Sequence, residues 1–253
     1  MTEPILELKN IETIVNKGKS NETQILKDVN LKVNKGDFIT IVGTNGAGKS
    51  TLFNVIGGLL PADSGAVFHN GKDITNMPLV NRTRFLSRVF QDPKLGTAPR
   101  MTVAENMLLA TKRGEHRPLR PRRLKQSLPR FKKLAAVMHN DLENRLDTPT
   151  GDLSGGQRQA LSFIMATLKR PDLLLLDEHT AALDPHTSVN LMNATNERIH
   201  ADHLTALMIT HHMEDALKYG NRLVVMKDGQ IVADISGEDK KKLTEDQLLK
   251  YFE

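Results

Sequence analysis

The sequence predicts an α/β fold built around parallel strands. From residue 157 onward, helix-like and strand-like stretches alternate, an order that is typical of parallel strands joined by right-handed crossovers. Earlier in the chain, the apolar residues 38–42 are followed by glycines and then by a helix-like stretch over residues 49–60, closed by Pro61. This order of strand, glycine loop and helix indicates the same class of fold.

The N-terminal residues predict two antiparallel strands. Apolar and polar residues alternate over residues 5–15 and again over residues 25–33, and the polar residues 16–22 lie between them as a loop. Residues 102–146 are helix-like instead, and we expect Pro118, Pro121 and Pro129 to divide them into shorter pieces. A β-rich beginning and a helical insertion therefore accompany the α/β core.

The remaining elements follow in the second half of the chain. We predict helices over residues 157–169, 212–218 and 243–252 and near 186–200, with strands over residues 173–176, 204–209 and 222–226. Asp228 and Gly229 predict a hairpin turn into a strand over residues 230–235.

The composition is that of an ordinary globular protein. The chain has 253 residues, of which 39% are hydrophobic, and this is enough for a substantial core in one large domain. It contains no cysteine, which excludes a disulfide framework and a thiolate metal site and favours a reducing compartment such as the cytosol. The N-terminal residues lack the pattern of a secretory signal, and no apolar run reaches the roughly 18 residues of a membrane helix. We therefore expect neither a signal peptide nor a membrane span.

Residues 43–50 carry a phosphate-binding pattern, and we call them the phosphate loop. Their sequence, G-T-N-G-A-G-K-S, fits G-x-x-x-x-G-K-[ST] and lies between a predicted strand and a predicted helix, as that pattern requires. The glycines allow backbone N–H groups to surround phosphates, Lys49 reaches the outer phosphates, and the Ser50 hydroxyl binds Mg²⁺. The alternative, a glycine-rich turn with a chance Lys-Ser pair, does not account for the flanking strand and helix.

Two carboxylates follow a strand of leucines. Residues 173–176 are all leucine, and Asp177 and Glu178 come next. Ends of strands in α/β sheets are where ligands commonly bind; Asp177 suits a magnesium ion there, and Glu178 suits the activation of an attacking water. On this segment alone, a surface acid pair that closes a strand is an equal alternative, and the phosphate loop favours the chemical role.

A second glycine-rich helix start occurs at residues 153–157, L-S-G-G-Q, which we call the signature segment. An amphipathic helix follows it, with Leu161, Ile164 and Leu168 at helical spacing. The phosphate loop, this segment and the acid pair, in that order, closely resemble the nucleotide-binding subunits of ABC transporters.

The resemblance covers nearly the whole chain, to about Ile235. It implies a P-loop NTPase core of the RecA-like type, with an N-terminal antiparallel β subdomain and an inserted α-helical subdomain. Residues 1–253 would form a single domain, with the core and the β subdomain in residues 1–90 and 166–253 and the helical subdomain in residues 91–165.

The resemblance also implies roles for individual residues, with ATP and Mg²⁺ as the bound groups. Nucleotide binding falls to Val15, Gly43, Asn45, Gly46, Ala47, Gly48, Lys49, Ser50, Thr51 and Gln91, and the binding of Mg²⁺ to Ser50, Gln91 and Asp177. The implied catalytic residues are Glu178, His211 and Asp184. The signature segment, which comprises Leu153, Ser154, Gly155, Gly156 and Gln157, would complete the site of a second copy packed head to tail. In that dimer Ser154 and Gly156 would touch the γ-phosphate.

Two of these residues have a second interpretation. Asp184 and Pro185 also form the pattern of a helix N-cap with proline at the first helical position, and both roles can hold at once. His211 and His212 suggest a metal pair, but side chains adjacent in sequence point apart and no third ligand is evident.

The sequence departs from the family's pattern at two places. No Phe, Tyr, Trp or His precedes Phe38, so Val15, or alternatively Ile14, substitutes for the aromatic residue that usually stacks on adenine. Losing that stacking predicts weaker discrimination between ATP and GTP. His179 stands where proline is commonest, and it either fills space or senses pH.

The leading hypothesis is the ATP-hydrolysing subunit of a transporter, which pairs with a second copy of itself and drives a separate membrane permease at the cytoplasmic face of the membrane. The lack of a fused span, and of the Glu-rich pattern of fused exporters in residues 146–152, favours import. Amino acids are the suggested solutes, and a solute-binding protein is an indirect partner.

A non-transport ABC ATPase acting on the ribosome or nucleic acid is the alternative, although we expect no nucleic-acid partner. A small-molecule kinase or GTPase would leave the signature segment and His211 unexplained.

Positive charge is concentrated in residues 112–133. This segment has ten basic residues and one acidic residue, whereas the whole chain has a net charge of +5, so the remainder carries about −4. Three interpretations stay open: a solvated face, contact with anionic lipids or with acidic groups of the permease, and contact with nucleic acid. Phe131 is the only aromatic residue of the segment, which counts against base stacking.

Overall fold

The structure, a computed structural model, describes residues 3–115 and 123–252. The strands of these residues are β1 (Leu6–Val15), β2 (Thr23–Val33), β3 (Phe38–Gly43), β4 (Ser64–His69), β5 (Lys72–Asp73), β6 (Leu86–Val89), β7 (Leu173–Asp177), β8 (Ala206–Ile209), β9 (Arg222–Lys227) and β10 (Gln230–Ser236). The α-helices are α1 (Lys49–Gly57), α2 (Leu79–Arg82), α3 (Val103–Ala110), α4 (Leu124–Ala136), α5 (Gly155–Thr167), α6 (Pro185–Ala201), α7 (Met213–Lys218), α8 (Gly237–Lys242) and α9 (Glu245–Leu249). The chain divides into two compact units. The first unit comprises Met1–Arg82 and Leu204–Glu253, and the second unit comprises Thr83–His203.

An antiparallel sheet forms the beginning of the first unit. Strand β1 pairs with β2 and with β4, and β4 pairs with β5, so the strand order is β2-β1-β4-β5. The predicted antiparallel strands are therefore confirmed, whereas β4 and β5 were missed. Asn70 and Gly71 turn the chain between them with φ of 46° and 72°. An Asn-Gly pair with both φ values positive is a signal for a tight hairpin.

Parallel strands carry the phosphate loop. Strand β3 lies between β8 and β9 and runs parallel to both, and β10 returns antiparallel to β9. Residues 38–42 are all buried, which is typical of a parallel strand covered on both faces. The predicted alternation thus forms parallel strands in this unit, and the phosphate loop begins at the carboxyl end of β3.

Helix α1 ends at Gly57, three residues before the predicted end at Leu60. Gly58 adopts the left-handed conformation, with φ of 77°, and a residue in this conformation terminates a helix before any proline is reached. The guanidinium group of Arg82 donates hydrogen bonds to the carbonyls of residues 55 and 56 at 2.8 and 2.7 Å. A left-handed glycine and an arginine from elsewhere in the unit therefore define the helix end.

The helix predicted over residues 243–252 is confirmed but shorter, since α9 covers Glu245–Leu249. Helix α8 precedes this segment, and α9 begins only after Thr244, whose hydroxyl accepts a hydrogen bond from the N–H of Gln247 at 3.3 Å. This capping box starts a new helix rather than continuing one. In α9, Leu248 is fully buried in a cluster with Val42 and Val225, so the C-terminal helix closes the core beside β3.

The second unit contains a parallel pair of strands and most of the longer helices. Strands β6 and β7 are parallel, with Leu86 opposite Leu173. The prediction that Pro129 divides a helix was wrong, because Pro129 lies inside α4. Burial of Phe131 and Ala135 on the inner face of α4 outweighs the hydrogen bond that the proline removes, since tertiary packing can override local propensity. Pro118 and Pro121 lie outside the described residues.

The chain passes from the first unit into the second after Arg82 and returns to the first unit after His203. The division of the chain at residues 90 and 165 stays a prediction. Within the described ranges, no helix combines the length and the apolar character that crossing a bilayer requires.

Candidate active site

The phosphate loop of the first unit has the backbone that anion binding needs. Gly46 and Gly48 have φ of 84° and 95°, a conformation that favours glycine. A Cβ atom at Gly48 would lie 2.9 Å from the Leu26 side chain, and one at Gly43 would lie 2.4 Å from the carbonyl oxygen of Met226. The first turn of α1 contains no acidic residue. The loop therefore leaves backbone N–H groups and the positive end of a helix for a phosphate.

The Lys49 ammonium group lies inside this loop. The side chain is 5% exposed, and its Nζ donates to the carbonyl oxygens of Gly43 and Thr44 at 2.7 and 3.0 Å. These contacts hold a buried positive charge among the residues predicted to surround the phosphates. Ser50, the predicted magnesium ligand at the start of α1, is exposed.

His211 lies at the same edge of the parallel strands as the phosphate loop. Ile209 is opposite Ile41 in the parallel pair of β8 and β3, and His211 and Gly43 each come two residues later. The carboxyl ends of neighbouring parallel strands meet at one edge of a sheet, so the predicted histidine and the loop are brought to one side. His211 is exposed.

Val15 ends β1 and is only partly buried. The preceding residue, Ile14, donates its backbone N–H to the carboxylate of Asp63, which also forms an ion pair with Lys17. Lys17 and the backbone of Ile14 hold the pKa of Asp63 below its usual range despite the desolvation that opposes this. The chain on either side of Val15 is therefore anchored, and neither β1 nor β2 contains an aromatic residue.

The second unit brings together the acid pair and Gln91. Asp177 and Glu178 are 7% and 9% exposed at the end of β7. The side-chain N–H of Gln91 donates to a carboxylate oxygen of Glu178 at 3.0 Å. Glu178 has φ of 45°, a left-handed conformation that is strained for a non-glycine residue and that clusters at functional sites. Three residues assigned by resemblance thus converge where β6 and β7 end.

Arg88 is a functional candidate that the sequence did not reveal. It lies on β6, and its guanidinium group forms an ion pair with Asp177 in which each side chain is 10% exposed. The guanidinium carbon also lies 4.9 Å from the centre of the Phe90 ring. The signal was an arginine in a short buried strand whose other residues are leucine, serine and valine, but its partner is 89 positions away.

The signature segment begins α5 through a capping box. The hydroxyl of Ser154 accepts from the N–H of Gln157 at 3.2 Å, and the Gln157 side chain accepts from the N–H of Ser154 at 3.3 Å. Gln157 also donates to the carbonyl of Asn140 at 3.0 Å. A Cβ atom at Gly156 would lie 2.5 Å from the Thr187 methyl group. The segment is therefore packed closely against the start of α6.

A cavity of about 430 Å³ lies between the signature segment and the start of α6. Asp184 is part of its lining and caps α6 by accepting from the N–H of Thr187 at 3.0 Å. Hydrogen bonds from the side chain and backbone of Thr187 lower the pKa of Asp184. The cap interpretation of Asp184 is confirmed. His139, Asn140 and His186 also line the cavity, and sequence reasoning did not identify them.

His179 is part of the core of the second unit. It is 2% exposed, its ring stacks on Phe163, and its Nε2 lies 3.2 Å from the hydroxyl of Thr195. Burial lowers its pKa from 6.5 to about 4, so the ring is neutral near pH 7. This favours the interpretation that His179 fills space over the interpretation that it senses pH.

Part of the basic segment serves the fold. Arg113 donates to the carbonyls of Ala166 and Lys169 at 2.7 and 2.5 Å, and Arg130 donates to the carbonyl of Leu168 at 3.4 Å. Positive groups at the carboxyl end of a helix interact favourably with its dipole. Residues 116–122, which carry three of the segment's arginines, lie outside the described residues, so the interpretations of this surface stay predictions.

The chain matches the ABC transporter family over residues 26–181. It is 40% identical over 249 residues to a tyrosine transport ATP-binding protein of Clostridioides difficile strain R20291. The aligned residues make up 98% of this chain and 99% of that protein. It is 35% identical over 225 residues to a probable branched-chain amino acid transport ATP-binding protein of Methanocaldococcus jannaschii, with 87% and 86% covered.

Solved structures resemble the chain along almost its whole length. An ATP-binding cassette of an ABC transporter in its ADP conformation has a TM-score of 0.79 at 31% identity, with 99% of this chain and 98% of that chain covered. A dimeric cassette in a post-hydrolysis state, bound to ADP and Pi, has a TM-score of 0.77 at 27% identity, with 91% and 98% covered. These likenesses confirm the predicted fold class.

Proposed function

This chain belongs to the ABC transporter family, and from that membership we propose that it is the ATP-binding subunit of an importer, which hydrolyses ATP to drive a separate membrane permease. The observation that carries the proposal is the end-to-end likeness, at 40% identity, to a tyrosine transport ATP-binding protein. We propose amino acids as the solutes, because a second relative is named for branched-chain amino acid transport.

The chain's own residues supply binding and orientation. Lys49 and the N–H groups of the phosphate loop hold the phosphates of ATP, and the base lies against the end of β1 at Val15. Glu178 activates the attacking water, and its hydrogen bond from Gln91 holds the carboxylate in place. His211 donates to the γ-phosphate. Phosphoryl transfer depends mainly on such positioning and on charge stabilisation.

The three predicted magnesium ligands are each chemically suited to that ion. The hydroxyl of Ser50, the carboxamide of Gln91 and the carboxylate of Asp177 are all oxygen donors, which magnesium prefers. When bound, the ion neutralises charge on the phosphates.

We propose that two copies form the working unit. The signature segment of each copy completes the site of the other, with Ser154 and Gly156 directed to the γ-phosphate. The cavity beside the signature segment supports this role, because its walls include the glycines and the start of α6. A relative solved as a dimer bound to ADP and Pi supports a working unit of two copies. The dimer associates with permease subunits at the cytoplasmic face of the membrane, and a solute-binding protein acts through the permease.

The test is to identify what the protein binds in cells. Tagged Glu178→Gln protein is expressed in the native host, membranes are gently solubilised with MgATP present, and copurifying proteins are identified by mass spectrometry. We expect a multi-span permease, and we expect much less of it with Lys49→Ala, which cannot hold nucleotide. Recovery of ribosomal proteins or nucleic acid without a permease would instead support the non-transport alternative.

A further inference from the structure

Each member of the acid pair is held by a side chain from β6 or the residues just after it. Arg88 pairs with Asp177, and Gln91 donates to Glu178 at 3.0 Å. These two side chains differ in charge, because Gln91 is neutral and the Arg88 guanidinium is positive at every working pH. The carboxylate predicted to bind magnesium is thus already paired with a cation.

The guanidinium group is fixed in place rather than free to swing away. The side chains of Arg88 and Asp177 are each 10% exposed, and the guanidinium carbon lies 4.9 Å from the centre of the Phe90 ring. Phe90 is itself anchored, because its carbonyl accepts from the side chain of Gln159 on α5 at 3.0 Å. Arginine suits such a place, because its planar group stacks on aromatic rings while it binds a carboxylate.

We propose that Arg88 is a positioning residue that holds Asp177 when no metal is bound and competes with Mg²⁺ for its carboxylate. The inference rests on the proposed function, because it takes Asp177 as a magnesium ligand. An isolated buried carboxylate is unstable, so the ion pair stabilises the metal-free state. The same positive charge repels an incoming divalent cation. Arg88 therefore raises the concentration of metal at which the site fills.

The competition predicts the direction of change for each substitution. Arg88→Met removes the charge and should lower the half-saturating metal concentration by about tenfold, the scale of one screened charge–charge interaction. Arg88→Gln also removes the charge but keeps a hydrogen-bond donor for Asp177, so it gives the same shift with less loss of stability. Arg88→Lys keeps the charge and should stay within about twofold of the wild type.

A matched control is available in the first unit. Arg222 is 15% exposed and forms ion pairs with Asp37 and Asp234. Arg222→Met should lower the unfolding temperature, as Arg88→Met does, without moving the metal midpoint. The control separates loss of a buried ion pair in general from loss of the one at Asp177.

The experiment measures Mn²⁺ binding to the full chain by electron paramagnetic resonance, with a non-hydrolysable ATP analogue present. Mn²⁺ replaces Mg²⁺ because it prefers the same oxygen ligands and gives a signal. Thermal unfolding in a chelator is recorded for each variant. A lower midpoint in Arg88→Met and Arg88→Gln, but not in Arg88→Lys or Arg222→Met, supports the proposal.

Other results distinguish the proposal from the function it rests on. An unchanged or higher midpoint in both neutral variants, with the wild type binding normally, overturns the role of Arg88 alone. A wild type that binds no Mn²⁺ and no analogue contradicts the proposed function instead. If Arg88→Met does not fold, Arg88→Gln carries the comparison.

Discussion

The imidazole ring of His179 stacks on the phenyl ring of Phe163, with ring centres 6.5 Å apart and ring planes inclined by 25°. The contact joins the residue that follows the acid pair to helix α5, which begins in the signature segment. The Nε2 atom of the histidine lies 3.2 Å from the hydroxyl of Thr195 on α6. His179 thus links two helices of the second unit.

Replacing His179 with proline should lower stability and leave catalysis nearly unchanged. The substitution removes the ring from Phe163 and leaves the fully buried Thr195 hydroxyl without this partner, which should cost about 2–4 kcal/mol of unfolding free energy. ATPase activity well below the melting temperature should stay within about tenfold of the wild type, because the side chain points into the core. Denaturant unfolding and steady-state ATPase assays check both parts, and a larger loss of turnover in folded protein would contradict the space-filling role.

The free energy of unfolding should decrease in acid because His179 is buried in its neutral form. Burial lowers its pKa from 6.5 to about 4, so between these values the unfolded chain takes up a proton that the folded chain does not. The contribution is complete above pH about 6.5 and is lost as the pH falls toward 4, by about 2 kcal/mol at pH 5. His179→Phe keeps a ring without the titration, so its unfolding free energy should change less between pH 7.5 and 5. Equal changes in the two proteins would show that other groups cause the effect.

A methyl group on residue 156 should collide with Thr187. The added Cβ would lie 2.5 Å from the Thr187 methyl group, and overpacking of this kind costs about 1–3 kcal/mol. Thr187→Ser removes that methyl but keeps the hydroxyl that bonds to Asp184. In the Thr187→Ser background, Gly156→Ala should therefore cost less than about 0.5 kcal/mol. A double-mutant cycle by denaturant unfolding measures the coupling, and additive effects would argue against the contact.

Base discrimination should be weak. With Val15 at the end of β1 and no aromatic residue in β1 or β2, we expect kcat/KM for GTP within about tenfold of that for ATP, the size of a 1.4 kcal/mol difference. Val15→Tyr should lower KM for both nucleotides, since stacking on a base is worth about 1–3 kcal/mol and every base offers a ring face. Steady-state kinetics with both nucleotides test this. A hundredfold preference for ATP in the wild type would refute it.

Glu178→Gln should retain nucleotide binding and lose turnover by at least about a hundredfold, as expected when a general base is removed. A glutamine can still accept the hydrogen bond from Gln91, so the local geometry should persist. Gel filtration at millimolar MgATP should show an ATP-bound dimer, and a monomer would count against the shared site.

Ser154→Arg should block hydrolysis with binding intact. Ser154→Ala removes the helix cap and the hydroxyl predicted to touch the γ-phosphate but adds no bulk, so it should reduce hydrolysis less than Ser154→Arg does.

Local patterns in the sequence determined the parts of the site that depend on neighbouring residues. The glycines of the phosphate loop, the leucine strand before Asp177 and the cap at Ser154 each act within about four residues. Such patterns encode backbone conformation directly, because glycine permits positive φ and a hydroxyl caps the N–H groups beside it. This is why the fold class and these motifs could be predicted.

Only the tertiary structure decided which side chains meet across strands and helices. Arg88 finds Asp177 through the pairing of β6 with β7, and Phe163 and Thr195 come from two helices to enclose His179. Packing also kept α4 continuous through Pro129. Burial and charge pairing depend on the order in which strands and helices pack, and residues many positions apart leave no local pattern from which that order can be read.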